Sequence, residues 1–198
     1  MALESAHSHT LMCVKLRLCA SAFLTISATA LPSAVADPAQ FPDLSGYSDA
    51  NAPDYTTYSA YMTAGVQFQT PGGYRCRMSY TTKAARSDLS CWGSLPGTSH
   101  NYVGLRYVGG PNSPGAEFSD IDLASMEMYD WMDGSGTHER TISPDAYKLL
   151  PPHSKVMYSE GTPKTCAVDS SMTACELKGT APDQHHGFVL SPQGSWTF

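Results

Sequence analysis

"GVQFQTPGGYRCRMSY", residues 65–80, decides the fold. Val66 and Phe68 alternate with Gln67 and Gln69. The turn residues Thr70-Pro71-Gly72-Gly73 follow, and then Tyr74, Cys76, Met78 and Tyr80 alternate with Arg75, Arg77 and Ser79. Successive side chains of a strand point to opposite faces. A period of two on both sides of a Pro-Gly turn therefore predicts an antiparallel hairpin with one apolar face.

The pattern continues outward. "DLSCWGSLPG" (88–97) supplies a third short strand that brings Cys91 alongside, and "HNYVGLRYVGG" (100–110) reads as a fourth. The last third repeats the style. "AYKLLPPHSKVMYS" is strand, Pro-Pro break, strand; "TCAVDSSMTACEL" is two strands around Asp169-Ser170-Ser171. "GFVLSPQGSWTF" is a final hairpin that returns Trp196 and Phe198 to the core. The stretches "FQTPGGYRC" and "FVLSPQGSW" resemble each other, which raises a duplicated half. Between these halves, residues 117–132 fit two patterns. Ile121/Leu123 and Met126/Met128 alternate as in strands, whereas Phe118, Ile121, Ser125, Met128 and Met132 fit one helical face. Many short strands with Gly/Pro turns predict an all-β fold: a small antiparallel β-sandwich or barrel built from hairpins, with at most a short helix.

The start of the chain reads as an address. Lys15 and Arg17 precede an apolar run from Leu18 to Leu31 and then Ala34-Val35-Ala36. A basic region, a short apolar run and an A-x-A site are the parts of a cleavable signal peptide. The run is shorter and more polar than the roughly 20 apolar residues a span needs. Residues 1–36 are thus expected to be removed, with no membrane span afterwards. Residues 37–61, rich in Pro, Asp, Ser and Tyr, read as an extended N-terminal arm, and 62–198 as the β-rich domain.

Composition narrows the partners. The chain has 12 Lys and Arg against 18 Asp and Glu, a net charge of −6. An acidic surface repels phosphate backbones, so nucleic acid is not an expected partner. Cys76, Cys91, Cys166 and Cys175 follow the leader, and an even number in an exported chain suggests two disulfides. Three connectivities are open. The sequence-local pairs Cys76–Cys91 and Cys166–Cys175 are favoured because each flanks a hairpin. No C-x-x-C, H-x-x-x-H or H-E-x-x-H spacing supports a metal, and no cofactor motif is present.

Catalysis has equally little support. The G-x-S-x-G elbow is absent, although a Ser-His-Asp set could still assemble in space. Asp120, Asp122, Glu127, Asp130 and Glu139 crowd the 117–139 region and would serve an envelope-directed hydrolase. His186, before Gly187, is expected to make a local hydrogen bond at the start of the last hairpin. The arm carries Tyr47, Tyr55, Tyr58 and Tyr61. Tyr gives rigid contact area with a polar end, which suits recognition, so these four are the candidate binding residues.

The ordered set "FQTPGGYRCRM", "CWGSLPG", "LLPPHSKVMY", "TCAVDSSMTACEL" and "HGFVLSPQGSWTF" resembles a family of exported proteins from mycobacteria and related actinobacteria. The likeness runs through most of the chain from Phe41 onward. His153 stands where that family often has glycine in an LPPG-type turn. The resemblance implies export and disulfides, and brings no catalytic residue. The expectation is an exported disulfide-stabilised β-domain that binds an envelope glycan or protein, secreted or held at the cell envelope.

Overall fold

Residues 63–81 form the hairpin that the alternation predicts. A computed structural model of the chain describes residues 41–198 except 57, 58, 61, 111 and 112; the expected leader lies outside the described residues. Strand β3 (Thr63–Gln69) pairs antiparallel with β4 (Arg75–Thr81), and β4 with β5 (Arg86–Trp92). Strand β6 (Tyr102–Tyr107) follows, with short edge strands β2 (Ser59–Ala60) and β7 (Glu117–Ser119) closing a six-stranded sheet.

The second sheet also has six strands: β1 (Ser48–Ala50), β10 (Ser154–Tyr158), β11 (Lys164–Val168), β12 (Thr173–Lys178), β13 (His185–Leu190) and β14 (Trp196–Thr197), in that order. Only β1 runs parallel to its neighbour. The inward rows of the two sheets share one core, which makes a sandwich. Across the first sheet runs Phe68–Cys76–Cys91–Val103, and across the second Val156–Cys166–Cys175–Phe188. Every residue of both rows is fully buried.

The disulfides are Cys76–Cys91 and Cys166–Cys175, with Cα atoms 4.0 and 4.1 Å apart. Each joins directly opposed residues of neighbouring strands, where an antiparallel ladder brings Cα atoms closest. Each sits on the third and fourth strands of its sheet, so the two sheets repeat one arrangement. The look-alike hairpins are not the equivalent parts, however. Residues 69–75 join the second and third strands of one sheet, while 190–196 join the fifth and sixth of the other.

One expectation needs correction. Trp196 and Phe198 do not fill the interior. Phe188 faces the core and pairs with Thr197, so strand parity turns Trp196 and Phe198 to the outer face. There Phe198 meets Phe41 at 5.5 Å and His185 at 5.2 Å between ring centroids. The arm from Phe41 onward is laid down on the domain. It supplies β1 and β2, and its 3₁₀ turn Ala52–Tyr55 packs on β3.

The ambiguous middle uses both of its patterns in succession. A five-residue helix α1 (Leu123–Glu127), capped by Asp122, runs into the ribbon β8 (Met128–Asp133) and β9 (Gly136–Thr141). This segment covers the outer face of the first sheet. Trp92, Ile142 and Tyr147 form a second small core there, with Leu123, Met126 and Tyr129 against it.

Candidate functional site: the turn end

Five connections from both sheets meet at one end of the sandwich: 70–74, 93–101, 150–153, 169–172 and 191–195. They carry the Gly/Pro segments singled out in the sequence. The first is tied by Gly73 N–H to Thr70 C=O at 2.9 Å, and by the Thr70 hydroxyl to Tyr74 C=O at 3.0 Å. In 169–172 the Asp169 Oδ1 accepts from the N–H of Ser171 and of Met172, both at 2.7 Å. An aspartate bonding the backbone two residues on makes a turn without a neighbouring strand.

The turns also bond to one another across the sheets. Tyr74 donates its hydroxyl to Thr173 Oγ1 at 2.7 Å, and Ser195 donates to Pro96 C=O at 2.6 Å. Gly97 has φ +64°, and a Cβ there would lie 2.1 Å from Ser191 C=O, so only glycine lets these turns touch. Burial raises the Tyr74 hydroxyl pKa to about 12, and the neighbouring Thr173 and Thr70 hydroxyls only partly offset this. Between the turns opens a cleft of ≈ 210 Å³, walled by Gly72, Tyr74, Pro96, Asp169, Ser171 and Pro192 among others.

The covalent links lie directly beneath. Cys76 is the second residue after the 70–74 turn and Cys91 the second residue before the 93–101 turn. Cys166 lies two residues before Val168 and Cys175 two residues after Thr173, the residues that flank the 169–172 turn. The sulfurs of Cys76, Cys91 and Cys175 lie within 4.8 Å of one another, so the two disulfides meet inside the sandwich.

A buried ionic cluster flanks the same end on the outer face. Glu127 accepts from Trp92 Nε1 at 2.9 Å, and Arg75 Nε lies 2.8 Å from the same oxygen. Tyr147 donates its hydroxyl to the other Glu127 oxygen. Arg77 bonds Gln67 Oε1 at 2.7 Å and Met126 C=O at 2.6 Å, with its guanidinium 4.9 Å from the Trp92 ring centre. Burial, and then the hydrogen bond to Glu127, push the Tyr147 hydroxyl pKa well above its ordinary value. The cluster pins α1 and the 142–147 segment onto β4 and β5.

No protein-family model, curated protein or solved structure matches this chain.

The structure distributes the sequence candidates unevenly. All four cysteines sit under the turn end. Tyr47 reaches it: its ring lies 6.1 Å from His153, and burial, with the nearby Asp169 carboxylate, raises its hydroxyl pKa. Tyr55 is a core residue, 5% exposed, so its aromatic ring serves packing rather than recognition. Tyr58 and Tyr61 lie outside the described residues.

Asp120, Asp122, Glu127 and Asp133 have local partners. Glu127 is in the ionic cluster, Asp122 caps α1, and Asp120 accepts from Asn101 N–H at 3.1 Å and faces His100 Nδ1 at 3.2 Å. Asp130 and Glu139 stand opposite each other on an exposed ribbon. Asp133, Ser135 and His138 do come together there, but Ser135 Oγ and Asp133 Oδ1 both approach the same ring atom, His138 Nε2. A catalytic triad needs them on opposite nitrogens. At the final hairpin, among the described residues, it is His185 and not His186 that meets a hydrogen-bond partner, Glu176 at 2.8 Å.

Lys164 was not anticipated. It is fully buried at the opposite end, with its ammonium 2.8 Å from Thr162 C=O, 3.0 Å from Glu160 C=O and 3.2 Å from Ser87 Oγ. Burial lowers its pKa to about 8. Its parity with Cys166 and Val168 on β11 was the available signal.

Proposed function

We propose that the chain is an exported, disulfide-stapled β-sandwich that binds a component of the cell envelope, a glycan or a protein, through its turn end. The observation that carries this reading is the convergence of turns from both sheets on one cleft, directly above both disulfides. Loops on a rigid scaffold are the usual seat of recognition. Covalent links beneath them lower the ordering cost of binding. The leader pattern, the disulfides and the resemblance to exported actinobacterial proteins support export. Among the described residues no helix is long and apolar enough to cross a membrane.

Retention of the oxidised protein on isolated actinobacterial envelope material tests the reading. Ser170→Trp, at the turn end, is expected to lower retention at least tenfold. Thr180→Trp, at the opposite end, is expected to leave it unchanged. Retention lost equally in both variants, or absent from the parent protein, would refute the proposal. Release of reducing sugar from the envelope material would instead favour a hydrolase.

A further inference from the structure

We infer that the cleft at the turn end holds one neutral sugar ring, a step that rests on the binding function proposed above and names its ligand class. Size comes first. Pockets for drug-sized ligands span about 300–1,000 Å³. A cleft of ≈ 210 Å³ suits a single ring of a longer chain and leaves the rest of that chain outside.

Charge comes next. Among the described residues no Lys or Arg lines the cleft, and Asp169 is the one charged residue there. A phosphate, sulfate or carboxylate would find a like charge and no counter-charge. Asp169 is itself engaged by the backbone N–H groups of Ser171 and Met172, so it is no open cation site.

The remaining groups match a polyol. Ser94 and Ser170 are exposed, and their hydroxyls make no hydrogen bond to any described residue. Each can donate one bond and accept two. Pro96, Met172 and Pro192 offer apolar surface to the C–H face of a ring. A peptide added as a strand needs free edge amides. Here the turn amides are already spent: Gly73 N–H on Thr70, Asp169 N–H on Met172 and Gly194 N–H on Ser191.

The test is an NMR titration of the isotope-labelled, oxidised full chain. The probes are the methyl glycosides of glucose, mannose, galactose and arabinose, with glucose 6-phosphate and a proline-rich peptide as comparison arms. Single rings bind in the millimolar range, so titration runs to about 50 mM. At least one neutral glycoside is expected to shift the amides of Gly72, Ser171 and Thr173 saturably. Ser170→Trp is expected to raise the half-saturating concentration at least tenfold without moving the unfolding temperature. If that variant does not fold, competition of envelope retention by the free glycoside replaces it. No saturable shift with any glycoside, or a stronger response to the phosphate sugar or the peptide, overturns the inference. If retention through the turn end survives that result, the binding function stands and only its ligand class falls. If retention also fails, both fall.

Discussion

The two ends of the sandwich are secured by different means. The turn end has two disulfides, a buried ionic cluster and hydrogen bonds that cross between the sheets. At the opposite end a wider cleft of ≈ 520 Å³ lies between Tyr107, Gly161, Lys178 and Gln184. Its notable fastening is Lys164, which ties the 159–163 turn to Ser87 on the first sheet. One end is fixed by covalent links and cross-sheet bonds, the other by a buried cation whose pKa is lowered to about 8. The lesson is that this fold concentrates its rigidity where its turns gather.

The sharpest break of that contrast is removal of the disulfides. Replacing each cysteine pair by alanine is expected to cost about 3 kcal/mol in the chain-entropy account. At about 2–4 °C per kcal/mol for a domain of this size, each pair lowers the melting temperature by about 6–12 °C. Amide exchange is expected to quicken first in the turns at 70–74 and 169–172. Equal quickening in the 82–85 and 159–163 turns would show that the links act globally.

Glu127→Ala comes next. It leaves the Arg75 guanidinium and the Trp92 indole N–H without their carboxylate. Breaking a buried pair costs about 3–5 kcal/mol, and partial exposure of Arg75 places this one at or below the lower figure. Chemical denaturation should register a loss of about 2–3 kcal/mol. Near-ultraviolet circular dichroism should report a loosened Trp92.

Lys164 gives the opposite end a pH signature. Its folded pKa is lowered from 10.5 to about 8, so burial penalises the folded state most below pH 8. As pH rises from 8 towards 10.5 the folded protein sheds this proton before the unfolded chain does. Stability is therefore expected to rise across that window by up to about 3 kcal/mol. Lys164→Met should abolish the rise, whatever it does to stability at pH 7. A rise that persists in Lys164→Met would assign it elsewhere. Above pH 10 the trend should reverse, because Tyr74, with its pKa raised to about 12, holds a proton that the unfolded chain releases.

The smallest expected effect lies in the turn before β10. His153 has φ +58°, in the region that favours glycine. A left-handed non-glycine residue costs about 1–2 kcal/mol, so His153→Gly should raise stability by about 1 kcal/mol. No gain would mean that the His153 ring, near Tyr47, repays its backbone.

Much of this was legible because it depends on alternation. The period of two in 65–80 places Cys76 inward, and a hairpin then fixes which cysteine can oppose it. The Asp169-Ser170-Ser171 turn announced itself by composition. What was hidden depends on parity counted from the far end of a strand, or on contacts distant in sequence. Trp196 and Phe198 read as core because they are apolar, but pairing with Phe188 and Val189 turns them outward. Tyr55 reads as arm, yet its 3₁₀ turn inserts the ring into the core. Glu127 looked like one carboxylate among many. Its partners Arg75 and Trp92 lie 52 and 35 residues away, and only the folded strap brings them together.

Native-state hydrogen exchange on the oxidised protein tests the contrast between the ends most directly. The amides of Thr70, Gly73, Leu150 and Asp169 at the turn end are expected to open more rarely than those of Ala85, Lys178, Gly179 and Gln184 at the other. Equal protection at both ends, or faster exchange at the turn end, would contradict the account.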